Sequence, residues 1–151
     1  MDTKTRILFL CTGNSCRSQM AEGWARSLWG KKIEPYSAGI QKHGLDPKAV
    51  KVMAEMGVDI SDHRSKTIEE LPVKEFDSVV TVCDHASETC PVIESQTKTI
   101  HVGFDDPPKL AQRARTEKEA LDYYRRVRDE IRVFISKLPE VLRRDRNPLK
   151  D

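Results

Sequence analysis

Long hydrophobic runs are missing from this sequence. No apolar stretch approaches the roughly 20 residues that a membrane-spanning helix needs, and the opening residues, Met-Asp-Thr-Lys-Thr-Arg, lack the apolar core of a signal peptide. Internal repeats and low-complexity tracts are absent too. We therefore expect a cytoplasmic protein with no membrane partner.

A strong excess of one charge is also lacking. The chain has 26 Lys and Arg against 24 Asp and Glu, a net charge of +2, although 33% of its residues are charged. This balance favours solubility and gives no general basic surface for nucleic acid, so no nucleic-acid partner is expected. A chain of 151 residues suits one domain that buries about two thirds of its unfolded surface. We expect a monomer with a single domain over 1–142 and a frayed tail over 143–151.

Cysteines are few: Cys11, Cys16, Cys83 and Cys90 are the four in the chain. In a reducing compartment they are expected to be catalytic or metal-binding rather than a structural disulfide framework. Cys83, His85 and Cys90 are suitable zinc ligands. A structural zinc site usually has four ligands in short paired spacings, however, and no second pair lies nearby. We expect no metal; a zinc-binding or redox-sensing module without catalysis is the alternative.

What the sequence does contain is an alternation of strand and helix patterns. Short apolar or β-branched runs predict strands, and apolar residues at helical spacing predict helices. Strands are expected at 6–10, 33–37, 76–82 and 97–102, and the longer helices at 15–29, 46–56 and 116–138. Such alternation is typical of a parallel sheet. We predict an α/β fold, in which a central four-stranded parallel sheet carries helices on both faces.

The most informative stretch lies where the first strand meets the first helix. Cys11 opens this short loop and Arg17 closes it, with five residues between them. A loop in this position directs backbone N–H groups at one point and adds the positive end of the helix dipole, which makes an anion site. The same groups stabilise a charged sulfur, so we expect Cys11 to be a thiolate near neutral pH. Arg17 offers a planar fork that suits two oxygens of a tetrahedral oxyanion.

The residues between these two suit the same role. Gly13 and Asn14 tolerate the positive φ that a tight cradle needs, and the hydroxyls of Ser15 and Ser18 can donate to the sulfur or to an anion. Cys16 is expected to point into the helix or the core as a structural thiol. The structural alternative for the loop is a buried cysteine beside a surface arginine. The expected oxyanion-binding residues are Thr12, Gly13, Asn14, Ser15, Cys16, Arg17 and Ser18.

The segment from Cys11 to Ser18 resembles the phosphate loop of low-molecular-weight protein tyrosine phosphatases. Its continuation, Gln-Met-Ala-Glu-Gly-Trp at 19–24, is similar to one branch of that superfamily, the thioredoxin-coupled arsenate reductases. The resemblance implies that Cys11 attacks arsenate, and that Cys83 and Cys90 resolve the oxidised nucleophile and carry a disulfide outward. It also implies an arsenate or phosphate oxyanion as ligand, electrons from thioredoxin and no bound cofactor.

The resemblance implies a general acid as well. In the family this acid is the aspartate immediately before a proline, which matches Asp106 in the Gly-Phe-Asp-Asp-Pro-Pro segment, and a carboxyl group there can protonate the departing oxygen. Asp105 is a helper or a helix-start residue, and without the resemblance the segment is simply a turn. Pro108 and Lys109 stand where the phosphatases commonly carry aromatic residues. This favours a small inorganic oxyanion, although a phosphatase that forms a Cys11 phosphoenzyme remains the rival.

Some arsenate reductases of this family hold a potassium ion, and three of the four residues that the resemblance implies for that site are present. Asn14, Glu22 and Ser37 match, whereas Lys66 stands where the family has an aspartate. An ammonium group offers three donors to the same oxygens. We therefore expect Lys66 to take the place of potassium.

The spacing of Cys83 and Cys90 gives a first test. If the residues between them are helical, the two positions lie roughly 10 Å apart, whereas a disulfide needs Cα atoms within about 7 Å. Closing this disulfide must then unwind the segment, so amide hydrogen exchange across 83–91 should accelerate on oxidation. Mass spectrometry of the reduced and oxidised protein measures this exchange. Unchanged protection would contradict a disulfide relay through the segment.

Overall fold

The computed structural model describes residues 4–82 and 98–145. Within these residues the chain forms four β-strands, five α-helices and one 3₁₀ helix. The strands are β1 (Thr5–Cys11), β2 (Ile33–Gly39), β3 (Ser78–Thr81) and β4 (Lys98–His101). The α-helices are α1 (Arg17–Trp29), α2 (Pro47–Glu55), α3 (Pro107–Ala111), α4 (Glu117–Ser136) and α5 (Leu138–Asp145). The 3₁₀ helix covers Ile68–Glu70.

The four strands are parallel and form one sheet with the order β2-β1-β3-β4. β1 lies in the interior of this sheet, where the residues from Ile7 to Leu10 are completely buried. It pairs with β2 as far as Cys11 and Gly39, and with β3 as far as Leu10 and Thr81. Because parallel strands end at the same edge of a sheet, the segments that follow the strands meet along this carboxyl-end edge.

The two faces of the sheet are covered by different parts of the chain. Successive side chains of a strand point to opposite faces, and Ile7 and Phe9 pack in a cluster with apolar residues from all five described α-helices. Leu8 and Leu10 point to the other face, where Ile68 of the 3₁₀ helix packs against them. The predicted α/β fold with a central four-stranded parallel sheet is therefore confirmed.

Two indole groups fix α1 against α4. Trp24 Nε1 donates to the carbonyl oxygen of Arg128 at 3.2 Å, and Trp29 Nε1 donates to that of Ile135 at 2.8 Å. Each bond joins a buried or half-buried side chain to the backbone of the longer helix. The N-terminus of α1, which follows the Cys11 loop, is thereby held in place on the sheet.

The expected elements occur with shifted ends, and two helices were not expected. β3 and β4 are shorter than 76–82 and 97–102. α3 forms in the segment for which a turn and a helix start were both left open, because its two prolines stand at the start of a helix. α5 reaches residue 145, inside the segment 143–151 that was expected to fray, because its leucines pack in the core.

In the described residues, the α-helices do not combine the length and apolar character that a membrane crossing requires.

Candidate active site

The loop between β1 and α1 lines a cavity at the carboxyl-end edge of the sheet. The cavity has a volume of about 580 Å³, and Cys11, which is only 3% exposed, forms part of its wall. The rest of the wall comes from the loop, from the segment 43–47 and from the region of α3, where Asp106 and Lys109 contribute. The structure thus brings the predicted nucleophile and the predicted acid to one cavity.

Neighbouring segments hold the carbonyl groups of this loop outward. The carbonyl oxygens of Thr12, Gly13 and Ser15 accept hydrogen bonds of 3.0 to 3.1 Å from backbone N–H groups of the segment 40–46. Because a peptide unit is planar and trans, a carbonyl that points outward leaves the following N–H group facing the cavity. Cys16, the N-cap residue of α1, makes no side-chain capping bond in the described part of the chain. The first turn of the helix therefore adds to an anion cradle.

The curvature of the loop depends on two residues. Asn14 has a φ of +49°, in the left-handed region, whereas Gly13, which was expected to share this property, is not in that region. At Gly39 a Cβ atom would lie 2.8 Å from Asn14 N and 2.8 Å from Thr12 O. Only glycine lets the end of β2 approach the loop so closely, and this approach places the donors of the segment after β2 behind the loop carbonyls.

A chain of side-chain hydrogen bonds leads to the sulfur of Cys11. Asn14 Nδ2 donates to Ser18 Oγ at 2.8 Å, and this oxygen lies 3.0 Å from Cys11 Sγ. Asn14 and Ser18 are completely buried behind the loop. Because the amide of Asn14 supplies a hydrogen to the serine oxygen, the serine's own proton is free to donate to a thiolate. The hydroxyl of Ser18 is therefore placed to donate a hydrogen bond to the sulfur of Cys11.

Gln19 and His63, which were not among the predicted site residues, orient Asn14. Gln19 Nε2 donates to Asn14 O at 3.1 Å and to Asn14 Oδ1 at 2.9 Å, and Gln19 Oε1 lies 2.9 Å from His63 Nδ1. Burial lowers the pKa of His63, against the opposing charge of Glu22. Arg26 Nη1 lies 3.0 Å from His63 Nε2, so we assign a neutral ring that donates from Nδ1 to Gln19. The one sequence feature that could have indicated this network is the side-chain amide of Gln19, which directly follows the loop.

Arg17 and Asp106 form the other side of the site. Arg17 Nη1 donates to the carbonyl oxygen of Phe104 at 3.0 Å, and Arg17 Nε lies 3.7 Å from Asp106 Oδ1. Asp106 lies in the cavity wall as the N-cap residue of α3. Asp105 instead pairs with Arg126 at 3.1 Å on the exposed surface. Of the two aspartates, Asp106 is thus the one that a bound oxyanion can reach.

Cys16 differs from Cys11 although both belong to the loop. It is as buried as Cys11 and belongs to the same core cluster and cavity wall, so the difference lies in the charges around it. Burial raises the pKa of Cys16 well above its usual value, and the carboxylates of Asp46 and Asp106 raise it further. The side chain therefore stays a neutral thiol near neutral pH, which fits a structural role.

The residues matched to the potassium site lie together behind the loop. Ser37 Oγ donates to Glu22 Oε1 at 2.6 Å, and Lys66 Nζ lies 4.0 Å from the same oxygen. The backbone N–H of Lys66 donates to Asn14 Oδ1 at 2.9 Å. Burial lowers the pKa of Lys66, and the charge of Glu22 opposes this effect.

Among residues 4–82 and 98–145, there is no group of three acidic, histidine or cysteine side chains that could hold a metal ion.

The remaining predicted site residues, Cys83 and Cys90, lie outside the described residues, as does the zinc alternative that includes His85. The described chain stops just before them. Val82 N donates to the carbonyl oxygen of Leu10 at 2.9 Å. The backbone therefore arrives beside the end of β1 one residue before Cys83.

Comparison with known proteins identifies the class of this site. Residues 6–148 match the model of the low molecular weight phosphotyrosine protein phosphatase family. The chain belongs to this family. The match includes all four strands except the first residue of β1, and it includes the loop that follows Cys11.

Similar proteins include arsenate reductases. A curated arsenate reductase from Halalkalibacterium halodurans is 51% identical over 128 residues, which are 85% of this chain and 90% of that protein. A solved arsenate reductase in a phosphate-binding state has a TM-score of 0.74 at 30% identity, covering 89% of this chain and 95% of that one. The low molecular weight protein tyrosine phosphatase of T. tengcongensis has a TM-score of 0.69 at 30% identity, covering 91% and 99%.

The bond between Ser18 and Cys11 can be tested by substitution. Ser18→Ala removes the hydroxyl that can donate to the sulfur of Cys11. A hydrogen bond to a charged group contributes more than about 1 kcal/mol to the stability of that group. Alkylation of Cys11 by iodoacetamide should therefore slow by about tenfold. The rate is measured near neutral pH by mass spectrometry of the Cys11 peptide. Ser27→Ala, on the exposed end of the same helix, is the matched control and should leave the rate unchanged. Equal rates for Ser18→Ala and the unmodified protein would contradict the role of this bond.

Proposed function

We propose that this protein reduces arsenate to arsenite through a thiol relay of Cys11, Cys83 and Cys90, with thioredoxin as the reductant. The cradle of backbone donors around the buried sulfur of Cys11 is the observation that carries the proposal. The 51% identity to a curated arsenate reductase supports it. We further propose the cytoplasm as its location, since thioredoxin keeps thiols reduced there.

The first half of the reaction takes place in the cavity. Arsenate binds to the loop N–H groups and to the guanidinium of Arg17. The thiolate of Cys11 attacks arsenic and forms a sulfur–arsenic bond, while Asp106 protonates the arsenate oxygen that leaves as water. The position of Cys11, Arg17 and Asp106 in the wall of one cavity supports this step.

The second half transfers two electrons from sulfur to arsenic. The thiolate of Cys83 attacks the sulfur of Cys11, so that a disulfide forms and the sulfur–arsenic bond breaks with its electron pair on arsenic. Arsenic is thereby reduced from the pentavalent to the trivalent state and leaves as arsenite. Cys90 then attacks Cys83, which frees Cys11 and leaves a disulfide for the dithiol of thioredoxin. The position of Val82 beside the end of β1 supports the first exchange, because Cys83 is the next residue.

A phosphatase is the second candidate function. The T. tengcongensis phosphatase is as similar in sequence as the solved arsenate reductase, at 30% identity, and a Cys11 phosphoenzyme needs the same cradle and acid. Among the described residues of the cavity wall, however, there is no phenylalanine, tyrosine or tryptophan; the one ring is the imidazole of His43, and Pro108 and Lys109 contribute near Asp106. A wall of this kind suits a small inorganic oxyanion better than a phenyl ring.

The relay is tested by arsenite release in the presence of thioredoxin, thioredoxin reductase and NADPH. We expect multiple turnover by the unmodified protein, and none above background by Cys83→Ser or Cys90→Ser, because each substitution breaks the path of the electrons. Turnover that survives both substitutions would rule out the three-thiol scheme.

Hydrolysis of p-nitrophenyl phosphate by the same variants is the matching control. Cys83→Ser and Cys90→Ser should retain any such activity, whereas Cys11→Ser should abolish it, because only Cys11 is needed for a phosphoenzyme. Strong hydrolysis without any arsenite release by the unmodified protein would instead establish the phosphatase.

We also propose that the ammonium of Lys66 replaces potassium beside Glu22. Arsenite release by the unmodified protein should then be the same in sodium and in potassium buffers. Lys66→Asp removes the ammonium and adds a carboxylate, so this variant should be activated by potassium. Lys51→Asp on the exposed face of α2 makes the same change of charge on a different element and should stay insensitive. Strong potassium activation of the unmodified protein would defeat this proposal.

A further inference from the structure

A tyrosine from α4 binds a carboxylate in the wall of the oxyanion cavity. Asp46 is the N-cap residue of α2, and its Oδ1 accepts a hydrogen bond of 2.9 Å from the backbone N–H of Lys48. Its Oδ2 accepts one of 2.6 Å from the hydroxyl of Tyr124. Its backbone N–H donates to the carbonyl oxygen of Ser15 at 3.0 Å. Asp46 thus joins the anion-binding loop to α2 and α4.

The negative charge of Asp46 is unfavourable for anion binding at this site. The residue lies in the wall of the cavity together with Cys11 and Arg17, where a bound dianion and a carboxylate repel one another. The capping role does not need this charge, because asparagine caps a helix as well as aspartate does. This charge affects the loop. The pKa of Cys16 is raised first by burial and next by the charge of Asp46.

Tyr124 is well placed to restrain this carboxylate. Its side chain is buried in the core, with 3% of the residue exposed. Burial and the bond to Asp46 raise the pKa of Tyr124, so its hydroxyl keeps the proton that it donates. With both carboxylate oxygens occupied by donors, the side chain is fixed and part of its charge is neutralised.

We propose that Tyr124 is a positioning residue that sets the affinity for the oxyanion by holding and partly neutralising the carboxylate of Asp46. The inference rests on the proposed function, namely that the cavity binds an arsenate-like dianion. Without the hydroxyl, Asp46 keeps its full charge and gains the freedom to turn toward the bound anion. Affinity then falls although Tyr124 itself is not part of the cavity wall.

Binding of inorganic phosphate to the reduced full-length protein, measured by calorimetry, tests this inference. Tyr124→Phe should bind phosphate about three- to tenfold more weakly, as expected for one nearby charge that is less well neutralised. In arsenate reduction its KM should rise by a similar factor while kcat changes little. Tyr123→Phe is the matched control, because the hydroxyl of Tyr123 has no hydrogen-bond partner among the described residues. This variant should bind like the unmodified protein.

A second substitution separates the electrostatic effect from simple damage to the fold. Asp46→Asn combined with Tyr124→Phe should bind phosphate within about twofold of the unmodified protein, because the neutral amide still caps α2 and repels no anion. A loss caused by poor packing of α4 would not be repaired by removing a charge in α2. Asp46→Asn alone should bind at least as tightly as the unmodified protein.

Three results would overturn the inference. They are normal phosphate binding by folded Tyr124→Phe, failure of Asp46→Asn to restore binding in that variant, and weaker binding by Asp46→Asn alone. The third decides the matter even if Tyr124→Phe does not fold. Failure of the unmodified protein to bind phosphate would instead contradict the proposed function itself.

Discussion

The anion site depends on hydrogen bonds that hold the carbonyl groups of the loop between β1 and α1 away from the cavity. Neighbouring backbone N–H groups bind the oxygens of Thr12, Gly13 and Ser15, and the rigid peptide planes turn the opposite N–H groups to the cavity. In an isolated peptide of this sequence, no neighbouring donors would hold the carbonyl groups, so the N–H groups would not converge on one point. The anion site is therefore made by the segment after β2 as much as by the loop itself.

The parallel sheet explains why the parts of the site meet. β1 lies between β2 and β3, so the chain that leaves β2 passes behind the loop and the chain that leaves β3 arrives beside it. The segment after β4 brings Asp106 to the same cavity. Each strand is thus followed by one component of the proposed site: the loop with Cys11, the supports of the cradle, the approach to Cys83, and Asp106.

The sequence predicted the components that are local in the chain. Cys11 and Arg17 are six positions apart on one loop, and the alternation of strands and helices sets the parallel sheet. Asp106 was expected beside the loop from the family resemblance, but two other contacts between distant segments were not predicted: Gln19 reaches His63 across 44 positions, and Tyr124 reaches Asp46 across 78. These residues have no distinctive pattern, because a buried amide or a tyrosine in a helix most often serves packing. Their roles follow only from tertiary structure.

Lys66 affects the site through two different parts of the residue. Its backbone N–H binds Asn14, whereas its ammonium lies near Glu22. Any residue except proline can make this backbone bond, so the bond to Asn14 does not require a lysine side chain at position 66. A substitution at this position can therefore change the charge beside Glu22 while the backbone bond that supports Asn14 is kept.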